Sequence, residues 1–368
     1  MRITRTEVIP IALPFRERYV TASGELDSRS MAILRLHGDA GHAGLGEAVP
    51  MSLRGGPGLE QVTGELRRCA ETLEGAGPAD AADPARAGAW IEAALGGCRA
   101  AGAGAQALCA VDGALHDLAG RILEMPVWEL LGALEARPVD CNATLDAGEP
   151  EVVERAARAQ REAGFGTFKV KVGLDGDAER VAAVRRAVGE EARIRIDANG
   201  AWSVEAALAA LADLEGAGLE LAEQPCAGVR DLAAVRAGTD LPIVADESVA
   251  SLGDAELAGS LGACDAATLK LSKVGGPLEA LRIAAVLPSY LSSALDGPIG
   301  IVTALHVAQA LPREGFAAGL AHGLGTLAMF AATYADHEGL YGPSLLPPLG
   351  PGLGVEIDEA RLEELRIP

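Results

Sequence analysis

The feature that most constrains this chain is an interval. Between Lys171 and His322, short apolar runs recur and each is closed by a polar residue. Thr167–Lys171 ends on Lys171, Arg193–Asp197 on Asp197, Leu219–Glu223 on Glu223 and Pro242–Asp246 on Asp246, while Lys270 lies in the run Ala266–Leu271. The steps between these residues are 26, 26, 23 and 24, and two further steps of 26 reach Asp296 and His322. One strand, one helix and two loops fill such a step. Several in a row predict a barrel of βα units, whose chemistry sits at the C-terminal ends of different strands.

The fold class is therefore read as α/β: a (β/α)7–8 TIM-type barrel with an N-terminal α+β capping domain, completed by the C-terminal segment. A chain of 368 residues is long enough for both parts. Ile3–Leu13, Ser30–Leu36 and Ala43–Ala48 read as strands, and the polar stretch Arg18–Leu26 between the first two is a hairpin loop or a lid over a site. Leu59–Leu73, Ala87–Leu95 and Ala103–Leu123 read as helices, and Pro126–Gly132 as a short helix and joint. Val139–Thr144 is the first barrel strand. Lys171 then closes the second, Asp197, Glu223, Asp246 and Lys270 the third to sixth, and Asp296 and His322 the seventh and eighth. Boundaries follow: a cap over residues 1–125, a barrel over 126–338, and a Pro- and Gly-rich segment over 339–368 that must pack back on one of them.

Charge and cysteine usage exclude several function classes. A net charge of −21 repels nucleic acid and anionic membrane, and with aromatics at 3% there are few platforms for stacking bases. None of the six cysteines forms a CxxC pair or lies near a His at zinc spacing, so they read as buried thiols in a reducing compartment. No run approaches a membrane-spanning length, and the expected location is cytoplasmic. The expected partner is a small carboxylate; a homo-oligomer is compatible with the sequence.

Three carboxylates on adjacent strand ends, Asp197, Glu223 and Asp246, must share protons or a cation. An all-oxygen set suits Mg²⁺ or Mn²⁺ rather than zinc. Lys171 and Lys270 lie four strands apart in an eight-strand ring and face each other across the mouth. Lys169 shares the side of Lys171, and two neighbouring ammoniums are expected to depress each other's pKa, as a lysine base near neutral pH requires. Lys273 reads as a solvated loop charge. A metal opposite a lysine base suggests removal of a proton next to a carboxylate, with the enediolate stabilised by the metal.

These residues resemble the enolase superfamily, in its muconate-lactonizing (mandelate racemase/muconate lactonizing enzyme) subgroup. The resemblance covers nearly the whole chain. It rests on Pro126–Gly132, Lys169-Val170-Lys171, Asp197-Ala198-Asn199, Glu223-Gln224-Pro225, Ala245-Asp246-Glu247-Ser248, and Lys270 with Lys273-Val274-Gly275-Gly276. It implies Asp197, Glu223 and Asp246 as metal ligands, Lys171 and Lys270 as acid/base residues, and Asn199 and Glu247 as supports of that site. The subgroup contains muconate cycloisomerases, dipeptide epimerases, N-acylamino acid racemases and o-succinylbenzoate synthases. Ser292–Gly300, with Ser293 and Asp296, resembles the seventh-strand motif of the synthases, although they usually carry Glu where this chain has Asp296. Ala321–Thr326, with His322 and Gly323, resembles their eighth-strand loop, whose Gly amides can receive a substrate carboxylate. The Asp-x-Asp that dipeptide epimerases usually carry there is absent from this loop. The resemblance thus implies the dehydration of menaquinone formation, with a racemase, epimerase or cycloisomerase as the alternative.

His322 is open between a substrate contact and a structural role, and His306 reads as a packed or partly exposed helix residue. His37, His42, His116 and His337 show no partner pattern. Two readings of other classes also remain: a Schiff-base barrel aldolase using Lys171 or Lys270, and a non-catalytic barrel that binds without turnover.

Overall fold

Three antiparallel strands open the chain, β1 (Ile3–Thr21), β2 (Gly24–Gly38) and β3 (Ala43–Ala48), in the order β1-β2-β3. The structure is a computed structural model that describes residues 2–21, 24–39, 41–52, 55–77, 83–146, 148–336 and 338–368. Both long strands run further than their apolar alternation predicts. After a register shift beyond Pro14, Tyr19 pairs with Leu26, Val20 with Glu25 and Thr21 with Gly24, so residues 18–21 and 24–26 extend the two paired strands. Arg18 sustains this extension by ion pairs to Glu25 at 2.7 Å and Asp27 at 2.9 Å across the strands. Ala22 and Ser23, at the tip of the expected loop or lid, lie outside the described residues, as does His337.

The sheet divides its apolar side chains by parity. Ala32, Leu34 and Leu36 face one core with helices α1 (Leu59–Leu73), α2 (Pro84–Ala100) and α3 (Ala105–Leu123). Ile9, Ile11, Leu13, Met31 and Ile33 face the other way, into a larger core shared with the rest of the chain. Helix α3 lies directly on β3. A Cβ at Gly46 would fall 1.8 Å from the Ala110 carbonyl oxygen, so only glycine admits this approach.

Then come α4 (Val127–Leu130), β4 (Val139–Asp140), β5 (Ala143–Leu145), α5 (Pro150–Glu162), β6 (Thr167–Lys171), α6 (Asp177–Val188), β7 (Arg193–Asp197) and α7 (Val204–Asp213). The alternation continues through β8 (Leu219–Glu223), α8 (Val229–Ala237), β9 (Ile243–Ala245), α9 (Leu252–Leu261), β10 (Ala266–Leu269), α10 (Leu271–Val274), α11 (Pro277–Val286), β11 (Ser289–Leu291) and α12 (Pro298–Ala310). Strand β12 (Ser344–Leu345) and helix α13 (Glu359–Leu365) complete the chain. Strands β5 to β11 form one seven-stranded parallel sheet in sequential order. Outward side chains such as Phe168, Val170, Ile194, Ile196, Ile243 and Leu269 are buried in the larger core, each contributing about 1.5–3 kcal/mol. Inside the curl, Leu221, Val244, Ala266 and Tyr290 meet Ala317 and Leu320 in a small separate plug.

Two expectations are corrected at the point of closure. The first barrel strand is not continuous over Val139–Thr144. Residues Cys141 and Asn142 leave it to meet His322, through an Asn142 amide to the His322 carbonyl at 2.9 Å and a His322 amide to the Asp140 carbonyl at 2.7 Å. On the other edge the Gly323 amide donates to the Leu291 carbonyl at 2.8 Å, and the Ser293 amide to that of Gly323 at 2.9 Å. His322 and Gly323 thus fill the eighth place as a two-residue bridge instead of a strand. The gap is tight: a Cβ on Gly323 would lie 2.4 Å from Ser292 Oγ.

The C-terminal segment packs back on cap and barrel. The Val127 amide donates to the Gly352 carbonyl at 2.9 Å, Leu353 donates to Asp117 of α3 at 2.7 Å, and Arg366 bridges to Ile11 of β1. All six cysteines are free and buried. No helix among the described residues is long and apolar enough to cross a membrane.

Candidate active site

Strand register assembles the site. Lys171 pairs with Asp197, Asp197 with Glu223, and Glu223 with Val244, two residues before Asp246. Positions two apart share a face, so Lys169, Lys171, Asp197, Glu223 and Asp246 project into one mouth. Lys270 follows β10 two residues after Thr268 and enters the same mouth from the other side. All three carboxylates are buried.

Ammonium groups knit these carboxylates together. Lys169 Nζ lies 2.9 Å from Asp197 Oδ2 and 2.7 Å from Glu223 Oε2. Lys171 Nζ donates to Asp197 Oδ2 at 2.6 Å and to Asn199 Oδ1 at 2.8 Å. Lys270 donates to Asp246 Oδ2. Lys273 Nζ donates to Asp246 Oδ1 at 2.8 Å and to the Thr268 carbonyl at 3.1 Å. Lys171 therefore approaches from the Asp197 end of the cluster and Lys270 from the Asp246 end.

Two sequence expectations fail here. Lys273 is not a solvated loop charge. The single turn of α10 swings it back under Lys270, where its side chain is 9% exposed and paired with Asp246. Lys169 is not the lysine of lowered pKa that the sequence predicts. Burial works to lower the Lys169 pKa, but the charges of Asp197 and Glu223 outweigh it and hold the ammonium well above its ordinary value. Burial likewise acts to raise Asp197 and Asp246, yet the lysines beside them hold both below the usual carboxylate range. At Glu223 burial prevails and its pKa is raised.

The loops after the strands are held by strain and by amide side chains. Asn199 and Gln224, each just beyond a carboxylate-bearing strand, have φ of 46° and 40°, a left-handed backbone rare in residues with a Cβ. Asn199 accepts from Lys171, donates its backbone amide to Asp197 Oδ1 at 2.9 Å, and reaches Glu247 Oε1 at 3.1 Å. Gln224 accepts the Asp246 amide at 2.7 Å and donates to the Cys226 carbonyl at 2.8 Å, tying the Glu223 turn to the Asp246 turn. Its part in the site escaped the sequence reading, although it stands in the Glu223-Gln224-Pro225 motif.

A metal suits the donor set rather than the present arrangement. Among the described residues no three His, Cys, Asp or Glu side chains form a closed cation cage. Lysine ammoniums stand between them instead. Yet Glu223 Oε1 is buried and finds no hydrogen-bond partner among the described residues, an oxygen with a lone-pair set to offer. Three buried carboxylates are hard oxygen donors, and they fit a divalent ion such as Mg²⁺.

The seventh- and eighth-strand residues have a different environment. Asp296 Oδ2 accepts from Ser293 Oγ at 2.8 Å and from the Ala294 amide at 2.7 Å, and burial raises its pKa. It belongs to a cluster at the seam with the cap. There Glu47 of β3 accepts from the Gly297 amide at 2.8 Å and from Tyr334, and Arg29 of β2 donates to the carbonyls of Pro50 and Ala294 at 2.7 and 3.1 Å. Gly323 is no carboxylate receiver, since its amide is already spent on Leu291. His322 Nδ1 accepts from the Leu291 amide at 3.1 Å, and burial pushes its pKa down to about 4, so it serves closure as a neutral imidazole. His306 is fully buried, and His116 and His37 do have partners, Asp112 at 2.8 Å and Glu7 at 3.0 Å.

The chain is similar to known proteins along almost its entire length. Residues 3–132 match the family described as Mandelate racemase / muconate lactonizing enzyme, N-terminal domain, and residues 151–361 match Enolase C-terminal domain-like. An L-Ala-D/L-Glu epimerase of Clostridium acetobutylicum is 31% identical over 82% of this chain and 84% of its own. An o-succinylbenzoate synthase of Thermobifida fusca is 40% identical over 62% of this chain and 71% of its own. A chloromuconate cycloisomerase of Pseudomonas putida is 34% identical over 70% and 71%. Among solved structures, an N-succinyl Arg/Lys racemase from Bacillus cereus aligns over 100% of this chain and 98% of its own, with a TM-score of 0.90 and 27% identity. A dipeptide epimerase from Cytophaga hutchinsonii, complexed with Mg and the dipeptide D-Ala-L-Val, aligns over 100% and 99%, with a TM-score of 0.89 and 28% identity.

Proposed function

This chain belongs to the enolase superfamily, in its mandelate racemase/muconate lactonizing enzyme subgroup, and on that premise we propose that it is a cytoplasmic o-succinylbenzoate synthase. That it is an enzyme with the reaction type of this superfamily follows from membership. The particular reaction is our reading. One observation carries the chemistry: Lys171 and Lys270 reach the same buried carboxylate cluster from its two ends, at Asp197 and at Asp246. The relatives named synthases, at 40–42% identity, support the dehydration.

Asp197, Glu223 and Asp246 would hold Mg²⁺, or Mn²⁺ in its place. Held there, the ion would supply the positive charge that stabilises an anion developing on a substrate carboxylate. In its free-amine form Lys171 takes the proton from the carbon next to the carboxylate of a hydroxylated cyclohexadiene. The carbon–hydroxyl bond then breaks, the ring becomes aromatic, and the Lys171 ammonium returns its proton to the departing hydroxide, which leaves as water. Lys270 remains charged on the opposite face and lowers the energy of the anion. Asn199 keeps Lys171 aimed at the site by accepting from its Nζ at 2.8 Å. Burial of the cluster excludes water and strengthens each of these interactions.

A racemase or epimerase reading uses the same residues with both lysines exchanging protons, and the relative of 31% identity favours it. Two assays separate them: loss of the cyclohexadiene with Mg²⁺ present, and incorporation of deuterium at the α-carbon of N-acylamino acids and dipeptides in D₂O. Exchange without turnover of the cyclohexadiene sinks the synthase reading.

A further inference from the structure

We propose that Tyr290 is a positioning residue that aims the Glu223 carboxylate at the cation, which rests on the reading of Glu223 as a metal ligand. The register places Tyr290 there. Its partner across β10–β11 is Thr268, whose inward parity is that of Asp246, so the ring points into the curl rather than toward the helices. Its hydroxyl donates to Glu223 Oε2 at 3.2 Å.

The consequence is an unequal carboxylate. Oε2 receives both Tyr290 and Lys169, the latter at 2.7 Å, while Oε1 is buried and receives nothing among the described residues. Two donors on one oxygen fix the plane of the group and leave the other oxygen as the one to offer. Tyr290 is itself held on two sides. The Arg195 guanidinium lies over its ring at 5.2 Å, and the His322 ring meets it edge-on at 6.4 Å. Arg195 is in turn tied to Glu220 at 2.5 Å and to the Ala321 carbonyl at 2.6 Å. The phenol therefore has little freedom to swing, and it links the closing bridge of the barrel to one oxygen of one carboxylate.

Groups that orient a ligand typically change metal affinity tenfold to a hundredfold when removed. The test is Mn²⁺ affinity of the full chain, followed by electron paramagnetic resonance titration and with thermal unfolding measured alongside. Tyr290→Phe removes the hydroxyl and keeps the ring. Tyr290→Leu removes both. Each folded variant should bind Mn²⁺ about tenfold more weakly than the unaltered protein, and Glu223→Gln should bind more weakly still. Full affinity in either folded variant overturns the positioning role while leaving the metal site standing. An unaltered protein that binds no Mn²⁺ overturns the metal reading, and the proposal with it.

Discussion

Lys273 Nζ lies 2.8 Å from Asp246 Oδ1 in the interior of the protein, and it also donates to the backbone carbonyl of Thr268. Burial lowers its pKa, Asp246 pulls the other way, and burial prevails. Removing one partner of a buried pair costs about 3–5 kcal/mol when the other charge is left alone. Asp246 keeps Lys270, so Lys273→Met should cost about 3 kcal/mol, the lower end of that range. Urea denaturation reads this directly. A midpoint unchanged from that of the unaltered protein contradicts the burial of this charge.

The rim was legible because charge and period coincided. Apolar runs closed by Lys171, Asp197, Glu223, Asp246 and Lys270 mark the barrel, its direction and its polar end in the sequence itself. What the sequence hid depended on one turn or on distant pairing. Lys273 looks solvated until α10 is known to begin at Leu271, after which its helical spacing returns it to Lys270. Tyr290 stands in a strand of only three residues, too short to reveal which side faces in. His322 obeyed the period, yet it closes the ring as a bridge. Glu47 and Gly297 meet across 250 positions, and nothing local in either segment announces it.

Gly352 is the weak point of the C-terminal docking. Its φ is +69°, and a Cβ there would lie 2.1 Å from Asp117 Oδ1, the oxygen that also accepts the Leu353 amide. Asp117 is fully buried and holds Leu45 of β3 through its other oxygen at 2.8 Å. Gly352→Ala adds about 1–2 kcal/mol of left-handed strain. It also displaces a buried hydrogen bond worth about 1–3 kcal/mol. A loss of about 3 kcal/mol is expected, together with faster proteolysis within residues 340–368. Unchanged proteolysis places the docking energy elsewhere.

His306 sets an acid limit. Its Nδ1 accepts from the Trp128 amide at 3.1 Å, and its Nε2 faces the Leu353 carbonyl at 3.1 Å, so Nε2 carries the proton and the ring is neutral. Burial pushes its pKa from 6.5 down to about 4. The unfolded chain then binds a proton that the folded chain refuses. Stability is intact above pH 6.5 and is lost as pH falls toward 4, by up to about 3 kcal/mol at 1.36 kcal/mol per unit. His306→Gln should be less stable at pH 7 but should lose less between pH 6.5 and 4, in a denaturation series at each pH. Parallel curves for the two proteins refute this assignment.

Glu47 sets the opposite limit. It lies in β3, buried against the start of α12, and burial together with the Asp296 charge raises its pKa from 4.5 to about 8. A raised folded pKa means stability that is complete below pH 4.5 and is lost as pH climbs through 8, by roughly 3–5 kcal/mol in all. Glu47→Gln keeps the shape and the acceptor for the Gly297 amide, and it cannot ionise. The variant should therefore gain on the unaltered protein as pH rises from 5 to 9, with its unfolding free energy crossing from below to above. If the difference between the two proteins stays constant over that range, Glu47 is ionised throughout and the seam between cap and barrel carries a fixed negative charge.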